Sequence, residues 1–153
     1  MDLNKFTEKS QAALMDAQAI ATRNQHQAVD VEHVALALVT QEGGLVPSLL
    51  ERLQVSPDLA KAKLEEEIAR LPRVSGSDTA GQGVMVTQRL NKLLVHAQDQ
   101  AKKLKDEYVS VEHLGLGLIE GNGALGKILQ SFSVSRERYM AAVETAKEHI
   151  RAG

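Results

Sequence analysis

This chain is written twice. Sliding the stretch from Phe6 to Val39 forward by 80 positions onto Val86 to Ile119 sets Thr7, Leu14, Ala17, Gln18, Ala21, Val29, Val31, Glu32, His33, Leu36 and Leu38 on identical residues. That is 11 matches in 34 positions, where unrelated sequences of ordinary composition would agree at roughly 1 in 15. After a one-residue slip the match continues, with LERLQVS (Leu50 to Ser56) against LQSFSVS (Leu129 to Ser135). A repeated unit of this length is one supersecondary motif that covers its apolar face against its copy. The sequence is therefore read as a single domain, 1–153, with repeat one at about 1–72, a connector at 73–86 and repeat two at 87–153.

Each copy reads as four helices, giving an all-α fold of eight helices in two pseudo-twofold four-helix repeats. Phe6, Ala13, Leu14, Ala17, Ile20 and Ala21 recur at three- and four-residue spacing, as do Leu90, Leu93, Leu94, Ala97, Ala101 and Leu104; that period marks amphipathic helices. Asp30 and Ser110 stand as N-caps before VEHVALALV and VEHLGLGLI, with Glu32 and Glu112 in the first turn, where a carboxylate suits the helix dipole. These second helices are nearly all apolar and carry small residues (Ala35, Ala37, Gly115, Gly117) that admit close neighbours, so they are expected at the buried centre. Short third helices are expected near Pro47–Leu53 and Leu125–Ser131. Fourth helices open at Ser56-Pro57, a cap followed by proline at the first helical position, and at Ser135. RVSGSDTAGQG (Arg73 to Gly83) has the composition of a flexible connector, and no strand pattern is visible.

Charge and composition narrow the function. With 18 basic and 20 acidic residues the net charge is -2 and aromatics are 3%, which argues against nucleic acid as a partner, since phosphate binding needs a basic surface and base stacking needs rings. The absence of cysteine removes disulfides and thiolate metal sites. No signal-like start and no run of about 18 apolar residues argue against a membrane partner, so the cytoplasm is the expected location.

EGNGALGKIL (Glu120 to Leu129) spells G-x-G-x-x-G and nearly spells a phosphate-binding loop, which raises nucleotide binding at Gly121–Lys127 as an enzyme-class alternative. That chemistry needs a strand delivering the chain into the turn, a helix N-terminus aimed at the phosphates and a hydroxyl for magnesium. Here the preceding segment reads as helix and the hydroxyl position is Ile128. The glycines read instead as the end of one helix and the start of the next. His33 and His113 each follow a glutamate, but neighbours in a helix diverge by about 100° and no second ligand follows at i+4. They read as partly buried histidines near helix starts. His26, His96 and His149 stand isolated, and no nucleophile with a base can be written, so the chain is read as non-enzymatic, with no metal site. What remains is the pair of like corners QAVDVEH and DEYVSVEH. Thr7, Asp106 and Glu112 would be surface polar groups beside apolar positions, at a seam between lobes suited to an extended peptide.

The doubled T…A…A…EH…L pattern resembles the N-terminal (Clp N) domain of the Clp/Hsp100 AAA+ unfoldases. HQAVDVEHVALALVTQEGG (His26 to Gly44) with LPRVSG (Leu71 to Gly76) most resembles the ClpB-type disaggregase branch, and the resemblance covers essentially the whole chain. It implies an eight-helix domain that recruits unfolded or aggregated polypeptides for threading by a homohexameric AAA+ ring working with an Hsp70-type chaperone system. The isolated domain would be a monomer without a cofactor of its own; ATP and magnesium belong to the full-length protein. The resemblance carries Thr7, Asp106 and Glu112 over as substrate-binding residues. It also points to His96, Gln100 and His113, where some relatives have leucine, with Glu32 and His33 as repeat mates. Glu32 and Glu112 further resemble the paired glutamates by which ClpC/ClpA-type unfoldases dock adaptors or phosphoarginine, which is the alternative function.

Overall fold

The computed structural model describes residues 3–73, 85–120 and 124–152. A 3₁₀ turn at Leu3–Lys5 leads into α1 (Glu8–Arg23), β1 (Ala28–Val29), α2 (Val31–Thr40), α3 (Leu45–Arg52) and α4 (Pro57–Ala69). The second copy follows as β2 (Met85–Val86), α5 (Gln88–Lys103), α6 (Val111–Ile119), α7 (Ala124–Ser131) and α8 (Arg136–Ala152). The eight expected helices are thus present. Thr7, Ser56 and Thr87 cap α1, α4 and α5, each side-chain oxygen accepting an N–H three residues on, from Ser10, Leu59 and Leu90.

Helices α2 and α6 form the centre, because every face of each is needed. Val31 to Val39 are all buried. Helix α2 packs on α1 and α4 within its repeat and on α6 and α7 across the seam, while α6 packs on α5 and α7 and reaches across to α1, α2 and α3. One continuous core therefore serves both repeats.

Small residues on α6 are matched by large ones opposite. A Cβ at Gly115 would lie 2.3 Å from the hydroxyl of fully buried Tyr139, and one at Gly117 3.1 Å from Leu93. At the equivalent positions of repeat one stand Ala35 with Ala60, and Ala37 with Ala13. The loss of a methyl from the central helix in repeat two makes room for a much larger side chain on its neighbour, as close packing demands.

Four helices end in the same way, without glycine. Gln25, Gln54, Lys105 and Ser133 have φ of 60–62°, and each is followed by a residue whose N–H bonds five positions back: His26 to Ala21, Val55 to Leu50, Asp106 to Ala101 and Val134 to Leu129. These are Schellman ends.

The expectation that no strand exists needs correction, and so does the assignment of Met85 and Val86 to the connector. β1 and β2 pair in parallel, Ala28 with Met85 and Val29 with Val86. A bridge between Phe6 and Val109 is the mirror image of that pairing. The extended residues leading into the first helix of each copy thus lie on the corner of the other copy. Two-residue strands carry no alternation and cannot be read from a period. Residues 74–84, the rest of the connector, lie outside the described residues.

Candidate functional site

The corner of repeat two is built from three local devices. The Schellman end of α5 turns the chain so that Asp106 faces back, Val109 is pinned by the N-terminal segment, and Ser110 opens α6. Thr7 N–H donates to Val109 O at 3.0 Å, Val109 N–H to Lys5 O at 2.8 Å, and Ser10 Oγ–H to Val109 O at 2.9 Å. Thr7 therefore stands against the loop that carries Asp106 and Glu112 three residues to either side of Val109. Its hydroxyl caps α1 and donates to Ser10 Oγ at 3.0 Å.

His113, 2% exposed, is the hinge of this corner. The Ser110 N–H donates to its Nδ1 at 2.9 Å, a capping box in which histidine takes the usual place of Glu or Gln. That bond leaves the proton on Nε2, which donates to Asp106 Oδ2 at 2.9 Å. The Ser110 hydroxyl also lies 2.9 Å from Nδ1, so Ser, His and Asp stand in a row. This row is not a nucleophile with its base, because the imidazole nitrogen facing the hydroxyl already accepts the backbone N–H. The other copy keeps the row without a hydroxyl.

In that copy the Asp30 N–H donates to His33 Nδ1 at 2.8 Å, and His33 Nε2 meets His26 Nδ1 at 2.9 Å. The expectations that His33 is only partly buried and His26 isolated are overturned: they are 0% and 7% exposed and bonded to each other. His26 is the repeat mate of Asp106. Glu32, expected as a mate of the surface carboxylate Glu112, is buried beneath Arg89, whose Nη2 lies 2.7 and 2.9 Å from its two oxygens and 3.0 Å from Asp30. Burial pushes the Asp30 carboxyl up, but the hydrogen bonds from Arg89, the Val31 N–H and Thr87 outweigh it and hold the group below its ordinary range.

His96 and Gln100 lie one turn apart on α5, half-buried. His96 is not isolated either: its Nε2 bonds Glu120, which also takes Arg136 Nε at 2.8 Å. Burial raises the Glu120 carboxyl, and the bonds from Arg136 and His96 more than reverse that. His149 has no side chain among the described ones. The candidates thus fall in two places of repeat two, His96 and Gln100 on α5 and the Asp106–His113 corner against which Thr7 stands, with Glu32 and His33 held in the corner of repeat one. His113, expected to be partly buried and to bind substrate, is instead enclosed and fixes Asp106. The signal for the histidine pairs was present as a residue seven positions ahead of each EH histidine, but only the turn geometry gives that spacing meaning.

Gly121 to Gly123 lie outside the described residues. Of the rest of that stretch, Gly126 and Lys127 sit inside α7, preceded by a helix, and a Cβ at Gly126 would meet Ile119 O at 2.5 Å. Lys127 lines a cleft of ≈ 260 Å³ with Lys63 and Arg89 and with Glu32, Glu66 and Glu67; Arg89 is held by Glu32, so the cleft has no excess of positive charge to draw phosphate. Among the described residues no group of three or more His, Asp or Glu side chains could hold a metal ion, and no helix is long and apolar enough to cross a membrane.

Two four-helix repeats sharing a core, with exchanged entry segments and polar corners, define an all-α double-repeat domain. The family profile described as Clp repeat (R) N-terminal domain matches residues 5–132, and the chain belongs to that family. It is 50% identical over 149 residues, 96% of its length, to chaperone protein ClpB of Nitratidesulfovibrio vulgaris, of which it spans 17%. Its fold matches the Hsp104 N-terminal domain from Candida albicans with a TM-score of 0.76 and 15% identity, covering 90% of this chain and 88% of that one. A ClpV N-domain in complex with VipB peptide matches with a TM-score of 0.68 and 18% identity, covering 88% of this chain and 82% of that one.

Proposed function

We propose that this chain is the substrate-recruiting N-terminal domain of a ClpB-type disaggregase. It takes up unfolded or aggregated polypeptide and hands it to a hexameric AAA+ ring that hydrolyses ATP with magnesium, in the cytoplasm and together with an Hsp70-type system. The observation that carries this reading is the 50% identity to a ClpB chaperone across nearly the whole chain. The peptide named with the ClpV N-domain supports a peptide-receiving role for the fold. Substrate is received along a polar band of Thr7, His96, Gln100, Asp106 and Glu112, with the buried His113 holding Asp106 in place. Its hydrogen-bonding character favours weak, sequence-tolerant capture over a deep apolar anchor.

The phosphoarginine-docking alternative is weakened by the first corner, where Glu32 and Asp30 already hold a guanidinium, that of Arg89. NMR titration separates the readings. Shifts along the band with an unfolded, casein-like chain support recruitment, and shifts at Glu32 and Glu112 with phosphoarginine support docking. Shifts at Lys127 with Mg-ATP would support a nucleotide site. Asp106→Ala and Glu112→Ala are expected to keep the fold and weaken capture several-fold, with a smaller effect for Glu32→Ala. Equal binding by all three variants would remove the carboxylates from the site.

A further inference from the structure

The two corners differ in one atom's chemistry. Oδ of aspartate and Nδ1 of histidine stand at the same remove from Cβ, and both meet the Nε2 of the corner histidine at 2.9 Å, Asp106 in repeat two and His26 in repeat one. A carboxylate accepts a hydrogen bond from neutral imidazole and from imidazolium alike. A second imidazole accepts only while it is neutral.

In repeat one both rings are fixed in one tautomer by their neighbours. His33 Nδ1 accepts the Asp30 N–H, so its Nε2–H donates to His26 Nδ1. His26 must then carry its own proton on Nε2, which is buried without a hydrogen-bond partner among the described residues. No lone pair remains for another proton. Protonation of His33 ejects the Asp30 N–H from the capping box, and protonation of His26 ejects the bond from His33.

The surroundings compensate only in part. Arg73, beyond α4, adds positive charge beside His26, while the Leu71 backbone works the other way and is outweighed. Of the two carboxylates at the start of α2, Glu32 is bound to Arg89 of α5, and so is Asp30. Burial pushes His33 down to about 4, the charge of His26 pushing the same way and that of Asp30 opposing; burial followed by Arg73 lowers His26. Both folded-state values lie below the ordinary 6.5. The closed corner is therefore fully favoured above that pH and is lost progressively as pH falls from it toward about 4.

We propose that the first-repeat corner is an acid-sensitive latch. Proton uptake by the His26–His33 pair breaks the bond between the two rings and releases the β1–β2 pairing, whereas a charged His113 would keep its bond to the Asp106 carboxylate and turn its Nδ1–H onto the Ser110 hydroxyl 2.9 Å away. Mild acid then loosens one repeat against the other at a single seam, baring Val29 and Val31.

The test is amide exchange and imidazole NMR on the full chain between pH 7.5 and 4.5, following the Thr87 N–H, which bonds Val29 O, and the Thr7 N–H, which bonds Val109 O, each marking one exchanged segment. After correction for intrinsic exchange, the opening at Thr87 is expected to rise at least about tenfold per pH unit below roughly pH 6.5, one decade for each proton taken up, with Thr7 unmoved. His26→Asp, which copies repeat two, is expected to flatten that rise, because a carboxylate keeps its bond to the His33 Nε2–H whether or not the ring is charged. His26→Asn, an acceptor that takes up no proton, is expected to hold the rise to at most one decade per unit. Opening at Thr7 together with or before Thr87 would overturn the latch. So would a wild-type slope in both variants.

Discussion

At Gly115 the centre of the molecule leaves space for a hydroxyl that has no partner. Tyr139 Oη is buried, unbonded among the described residues and 2.3 Å from where a Cβ would stand. Burial, and then the charge of Glu112, push its ionisation up, so it is a neutral phenol whose polar atom was taken from water without return. Gly115→Ala is expected to cost about 1–3 kcal/mol by overpacking, whereas Tyr139→Phe is expected to be neutral or to stabilise by up to about 1 kcal/mol. Because the clash is with the hydroxyl, the double variant should recover part of the loss, a coupling that urea melts of the four proteins would measure. At this scale the sequence was only half legible. It marked Gly115 as a place of close approach and Asp30 and Ser110 as caps. It did not show that the approaching group comes from α8, that the third residue of VEH completes each cap, or that Arg89 covers Glu32, because those partners meet only through the tertiary fold.

The helices themselves could be read from apolar period and cap chemistry, since each buries a stripe that recurs every three or four residues. Their ends were harder to see, because Gln25, Gln54, Lys105 and Ser133 take the left-handed conformation without being glycine. A side chain in that region costs about 1–2 kcal/mol, and glycine returns about 0.5–1 of it through the greater freedom of the unfolded chain. Gln54→Gly and Ser133→Gly, both exposed, are each expected to raise stability by about 0.5 kcal/mol, and Gln54→Ala to give no gain. Thermal melts at one pH would check the pair. The two-residue strands were beyond any reading of pattern, since they are defined by what they pair with and not by their own composition.

Across the whole molecule the core crosses the seam through α2, α3, α6 and α8, so neither repeat can bury its central helix alone. A fragment of residues 1–73 is expected to show weak helical signal and no cooperative melting, which circular dichroism would test; a sharp transition with full helicity would show that the repeats are independent. The reciprocal placement of Lys5–Thr7 on the Val109 corner and Met85–Thr87 on the Val29 corner has a historical meaning as well. Exchanged arms are what a symmetric homodimer leaves behind when its two protomers are joined end to end. The pairing surfaces then owe nothing to the join: residues 1–73 mixed with residues 85–153 as separate polypeptides should assemble one-to-one and regain the helicity that each lacks alone.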